Sequence, residues 1–128
     1  MNKKETKKEV TERIKTFEDA QAATGRPDVP EFSDVPEDMR DYFKAQYKMV
    51  VITEALNEGW KADWSDSSQA KYYPWFYVSS SGFAFDGTDC DFSFPAAGCG
   101  SRLCFKTRAL AEYAGRQFVQ IWDDLTQK

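Results

Sequence analysis

KYYPWFYVSSSGFAFDGTDCDFSF, residues 71–94, is the stretch whose reading decides the fold. Tyr73, Trp75 and Tyr77 alternate along it with Tyr72, Pro74, Phe76 and Val78, and Phe83 with Phe85 and Phe92 with Phe94 keep the same spacing. Leu103 and Phe105 repeat it further on. A period of two belongs to strands, whose side chains point to opposite faces in turn. Ser79-Ser-Ser-Gly82, Asp86-Gly-Thr88 and Pro95-Ala-Ala-Gly-Cys-Gly100 separate these pieces with turn and loop chemistry. The pattern predicts a meander of three or four short antiparallel strands. Pro74 lacks a backbone N–H, so the first is an edge strand or begins there.

Extended back to Trp60, the region holds 11 of the chain's 20 aromatic residues and no Leu, Ile or Met. Rings are therefore its main apolar surface, and most of them must face inward if it is to stay ordered.

Helical signals flank the aromatic region. Thr16-Phe-Glu-Asp19 reads as an N-cap with an acid at the third helical position, predicting a helix from Phe17 to about Ala23 that stops at Gly25. Pro27, Pro30 and Pro36 make the next segment an irregular connector, with Val29 and Phe32 to pin it. From Pro36 or Glu37 to about Asn57, Tyr42, Ala45, Met49, Ile52 and Leu56 form one stripe, with Met39, Phe43 and Val50 beside it. Pro36 suits the first helical position, Asp34 can cap nearby, and Asn57 and Gly59 supply the stop. A last helix is expected after Thr107, with Leu110, Ala114, Phe118, Ile121 and Leu125 in the stripe, and Ala111 and Trp122 beside it. Gly115 inside it suggests the close approach of another backbone. The fold class is α+β: N-terminal helices, the meander, and a C-terminal helix on the sheet. Residues 1–13 read as a charged tail and 14–128 as a single domain.

The net charge of −4 and pI near 4.9 weigh against generic affinity for nucleic acid or membrane surfaces. Residues 49–100 carry only Lys61 and Lys71 against seven acids, whereas residues 101–128 are mildly basic. Cys90, Cys99 and Cys104 are odd in number, with no C-x-x-C and no His in the chain, which fits neither a disulfide framework nor a zinc site. They are expected to be reduced thiols. No apolar leader and no membrane-length apolar run is visible, so a cytoplasmic protein is expected.

Each candidate chemistry lacks a partner. Asp86-Gly-Thr-Asp-Cys-Asp91 clusters carboxylates but has no Glu at calcium-loop spacing, and reads as an Asp-Gly hairpin loop. Cys99 and Cys104 have no His to serve as base. Asp63 and Asp66 lie near Trp60 and Trp64, the residue types of glycoside hydrolysis, but no deep cleft is expected in so short a chain. A non-enzyme without cofactor or metal is the expectation.

Three binding readings remain, one of them a small-molecule binder whose site the sequence does not place. Tyr72, Tyr73 and Trp75 on an edge strand can anchor a protein partner. Arg102, Lys106 and Arg108, with Arg116, could instead form a basic patch beside aromatic strands, where single-stranded nucleic acid stacks and pairs its phosphates. Of these last two the first is preferred because the chain is acidic.

Lys71-Tyr-Tyr-Pro-Trp-Phe76, Gly100-Ser-Arg-Leu-Cys-Phe-Lys-Thr107, Leu110-Ala-Glu-Tyr-Ala-Gly115 and Gln117-Phe118 resemble a group of short proteins found in gut-anaerobe genomes and their prophages. Leu56-Asn-Glu-Gly-Trp60 and Thr16-Phe-Glu-Asp-Ala20 look similar too, so the likeness covers roughly residues 14–124. The resemblance implies a phage or mobile-element context and brings no activity and no functional residue with it.

Overall fold

The computed structural model describes residues 8–80, 82–91 and 100–128. The strand expected at Phe92–Phe94, the loop at 95–99 and Cys99 lie outside them.

Local signals set the N-terminal half. A four-residue turn of helix, α1 (Val10–Arg13), falls within the stretch expected as a charged tail, and Val10 and Ile14 enter the core. α2 (Phe17–Thr24) starts with a complete capping box: Thr16 Oγ1 accepts the Asp19 N–H at 3.1 Å, and the Asp19 carboxylate accepts the Thr16 N–H at 3.2 Å. It ends at Gly25, whose φ of 71° is left-handed. The proline connector is pinned from α3 (Glu37–Asn57). Phe32 stacks on Phe43 at 5.8 Å, the Tyr47 hydroxyl donates to the Pro27 carbonyl, and Arg40 donates to the carbonyls of Val35 and Ser33.

α3 buries the expected stripe of Ala45, Met49, Ile52 and Leu56. Its widening is the expected one only in part: Phe43 and Val50 are half-buried, Met39 is exposed, and Val51 and Ala55 widen the buried face toward the C-terminus. Pro36 is the N-cap rather than the first helical residue, and no side chain caps it. The left-handed terminator is Glu58, at φ 47°, followed by Gly59. Asn57 is buried for another reason. Its Nδ2 donates to the Cys104 carbonyl at 2.9 Å and its Oδ1 accepts the Lys106 N–H at 3.2 Å.

The sheet is smaller than predicted among the described residues. β1 (Lys71–Ser79) and β2 (Gly82–Asp91) form one antiparallel hairpin, with Ser79 opposite Gly82. Asp86-Gly87 does not turn the chain. Trp75 lies opposite Gly87 and Phe76 opposite Phe85, so Asp86 is the extra residue of a β-bulge inside β2. Leu103–Phe105 contributes one bridge instead of a strand, with N–H to O=C bonds in both directions between Tyr72 and Phe105. Its other edge is taken by Asn57, and Thr107 starts the next helix two residues later, leaving no length for a ladder.

The last helix is two. α4 (Arg108–Gln117) begins at Thr107, which accepts the Leu110 N–H, and α5 (Val119–Gln127) follows a break at Phe118, φ −112° and ψ 30°. α4 packs on the hairpin, and α5 and α2 both pack on α3. The core thus sits among the helices: Ile14, Met49, Ile52, Leu56, Phe105, Ala111 and Ala114 are almost fully buried. Gly115 is needed where α4 meets the sheet, but the close neighbours are the side chains of Phe85 and Pro74 rather than another backbone.

Candidate functional site

Alternation divides the hairpin's side chains between two faces. Tyr72, Pro74, Phe76, Phe83 and Phe85 lie toward α4 and α5. Phe76 stacks on Phe83 at 4.7 Å and meets Trp122 at 5.5 Å. The bulge keeps Thr88 on this face, where it accepts from Arg108 at 2.8 Å. Tyr73, Trp75 and Tyr77 form the opposite face, with Tyr73 and Trp75 rings 6.5 Å apart. Of the nine described rings between Trp60 and Phe85, only Trp75 at 58% and Tyr77 at 61% are exposed. Most rings therefore face inward, half-buried at the edge of the helical core. The expectation of an inward-facing aromatic segment holds for those residues.

Four large apolar side chains are exposed among the described residues, and three of them, Trp75, Tyr77 and Val78, lie within four consecutive positions of β1. β2 occupies one edge of this strand. On the other edge Phe105 takes both backbone groups of Tyr72. Since a strand presents its backbone groups to alternate sides, Phe76 and Val78 present theirs to that same edge, beyond Phe105's reach. Pro74, between Tyr72 and Phe76, offers only its carbonyl. A cleft of about 350 Å³ runs alongside, between the outer half of β1 and the last turn of α5, lined by Pro74, Phe76, Phe83 and Trp122 with Thr126 and Gln127 at its rim.

The sequence-predicted residues do not converge. Tyr73 and Trp75 border the cleft, whereas Tyr72 does not line it and lies further along β1 under Arg108. Arg108 is stacked over Tyr72 at 5.2 Å and Arg116 over Phe85 at 4.9 Å, both on the α4 side. Arg102 belongs to a separate pocket at the end of α3, and the Lys106 backbone is tied to Asn57. Acids border the outer face of β1 instead: Asp89 is opposite the half-buried Tyr73, and Asp86 bulges beside the exposed Trp75.

In the 60–70 loop the two carboxylates at glycosidase-like positions serve the loop's own structure. Asp63 accepts from the backbone and hydroxyl of Ser65, and Asp66 does the same with Ser68. These hydrogen bonds hold both carboxyls below the ordinary range, the opposite of a proton donor's requirement. Lys71 is fully buried beneath this loop, its ammonium donating to the Asp66 carbonyl at 2.9 Å and lying 5.2 Å from the Trp64 ring centre. Cys104 is buried, Cys90 half-buried. Among the described residues no three Cys, Asp or Glu side chains come together as metal ligands, and no helix is long and apolar enough to cross a membrane.

The signal missed in sequence was Val78. It follows the aromatic triplet and reads as one more strand residue, yet its exposure marks where the cleft opens. No family model, curated protein or solved structure matches this chain.

Proposed function

We propose that the protein is a non-catalytic binding module that captures a short extended segment of a partner protein along the open edge of β1. The clustering of Trp75, Tyr77 and Val78 on one edge strand beside an apolar cleft carries this reading. An added strand would bond the backbone of Phe76 and Val78 and place alternate side chains in the cleft and over Trp75. Phe105 limits the contact to the outer half of β1, so the segment is short and basic or neutral, given Asp86 and Asp89 on the exposed face. The resemblance to short prophage-borne proteins makes a cytoplasmic adaptor of a mobile element the setting we infer. Support for the rival, a single-stranded nucleic-acid binder, is thin: Arg102, Lys106 and Arg108 do not flank the exposed rings.

The test is selection of peptides from a random library, followed by titration of the best binder. Val78→Pro removes an edge N–H without touching the β2 ladder, and Trp75→Ser removes the anchor. Each is expected to weaken binding by about tenfold or more, roughly 1.4 kcal/mol. Equal affinity for both variants and wild type overturns the reading. Salt-steep binding of mixed oligonucleotides would replace it with the rival.

A further inference from the structure

A second concavity lies away from the sheet, between the C-terminal end of α3, the Trp60–Ala62 segment and the turn at Ser101-Arg102. It encloses about 340 Å³, the small end of the ~300–1,000 Å³ of ligand sites. Arg26, Lys61 and Arg102 line it with one carboxylate, Glu54, and the half-buried indole of Trp60. Arg26 and Glu54 join by two hydrogen bonds of 2.8 Å and neutralise each other. Among the described residues neither Lys61 nor Arg102 forms an ion pair. In a chain of net charge −4, two uncompensated cations thus face one small cavity.

We propose that this pocket binds a small organic phosphate carrying a planar ring, with the phosphate held by Lys61 and Arg102 and the ring set against Trp60. A phosphate monoester carries about −1.5 to −2 at neutral pH, enough to answer both cations, where a carboxylate would answer one. Arg supplies a two-pronged donor to such oxygens and Lys a compact charge. The end of α3 opposes an anion with roughly half a negative charge, less than the two cations provide. Both cations also act on the pocket's own carboxylate. Arg26's hydrogen bonds hold Glu54 below the ordinary carboxylate range, and Arg102 and Lys61 add to that lowering, which places them within electrostatic reach of the cavity. Trp60 supplies a flat apolar wall, the partner a base or aromatic ring stacks on.

Calorimetric titration with adenosine monophosphate, adenosine and ribose 5-phosphate tests this on the full chain. Adenosine monophosphate is expected to bind more tightly than either fragment, with affinity falling as salt rises. The exposed pair Lys61→Gln with Arg102→Gln is expected to weaken it about tenfold while leaving the circular dichroism spectrum unchanged. Trp60→Leu is expected to weaken adenosine monophosphate and spare ribose 5-phosphate. No binding of adenosine monophosphate at low-millimolar concentration in low salt, or binding indifferent to the double substitution, overturns the proposal.

Discussion

Gly115→Ala sets two effects against each other, and the structure says which wins. Inside a helix Ala is favoured over Gly by about 1 kcal/mol, so at an open site the substitution stabilises. Here the new Cβ would stand 2.5 Å from Phe85 Cε1 and 2.8 Å from Pro74 Cβ, against an optimum of about 3.5–4.0 Å between carbons. Phe85 can rotate away only by leaving Arg116, which lies 4.9 Å over its ring, and Phe76, 6.3 Å from it. Pro74 is fixed in β1 and cannot rotate at all. Overpacking of this kind costs about 1–3 kcal/mol. The net expectation is a loss of about 1–2 kcal/mol, read by urea unfolding followed in the far ultraviolet, with Tm lower by several degrees. In a Phe85→Ala background, where only the Pro74 contact remains, the same change should be close to neutral. The coupling of the two sites is then about 1–2 kcal/mol. A gain of stability from Gly115→Ala in the wild-type background would refute the close packing of α4 on the hairpin.

Asn57→Ala leaves the Cys104 carbonyl and Lys106 N–H without their side-chain partner; urea unfolding should show a loss of about 2–3 kcal/mol, and a loss under ~0.5 kcal/mol would contradict the stitch. Arg26→Gln bears on pH. Glu54 is held below its ordinary range chiefly by Arg26's hydrogen bonds, so the pair's contribution is present above that range and is lost as pH falls through the lowered folded-state value. The variant should therefore be less stable than wild type at neutral pH and converge with it in acid; a gap that is constant with pH refutes this. Trp75→Ser with Tyr77→Ser should change unfolding free energy by no more than about 0.5 kcal/mol, because both rings are exposed; a larger loss would mean that they are structural and not an offered surface.

What the sequence made legible was local. Thr16 and Asp19 satisfy each other within four residues, and Gly25 and Thr107 end and begin helices by their own conformations and side chains. The stripe at Ala45, Met49, Ile52 and Leu56 is a matter of period alone. Failures came where distant residues decide. Asn57 looked like a helix stop, yet its partners are 47 and 49 positions away. Asp86-Gly87 carries turn chemistry, and a bulge uses the same residues, so only the register with β1 separates the two. The apolar period runs on through Phe118, and nothing local marks the break that turns α5 toward α3. Of the candidate rings, Trp75 was readable as surface from the edge strand, while Tyr73 is half-buried beside it; the scattering of Arg102, Lys106 and Arg108 depends on packing.

The segment Cys104–Lys106 is a party wall. Phe105 closes the start of β1's open edge from one side, while Cys104 and Lys106 are clasped from the other by Asn57, which also lines the pocket at the end of α3. The two concavities are thus in mechanical series across three residues. A strand added along β1 and a ligand that reached Asn57 would load the same short cord of hydrogen bonds from its opposite ends.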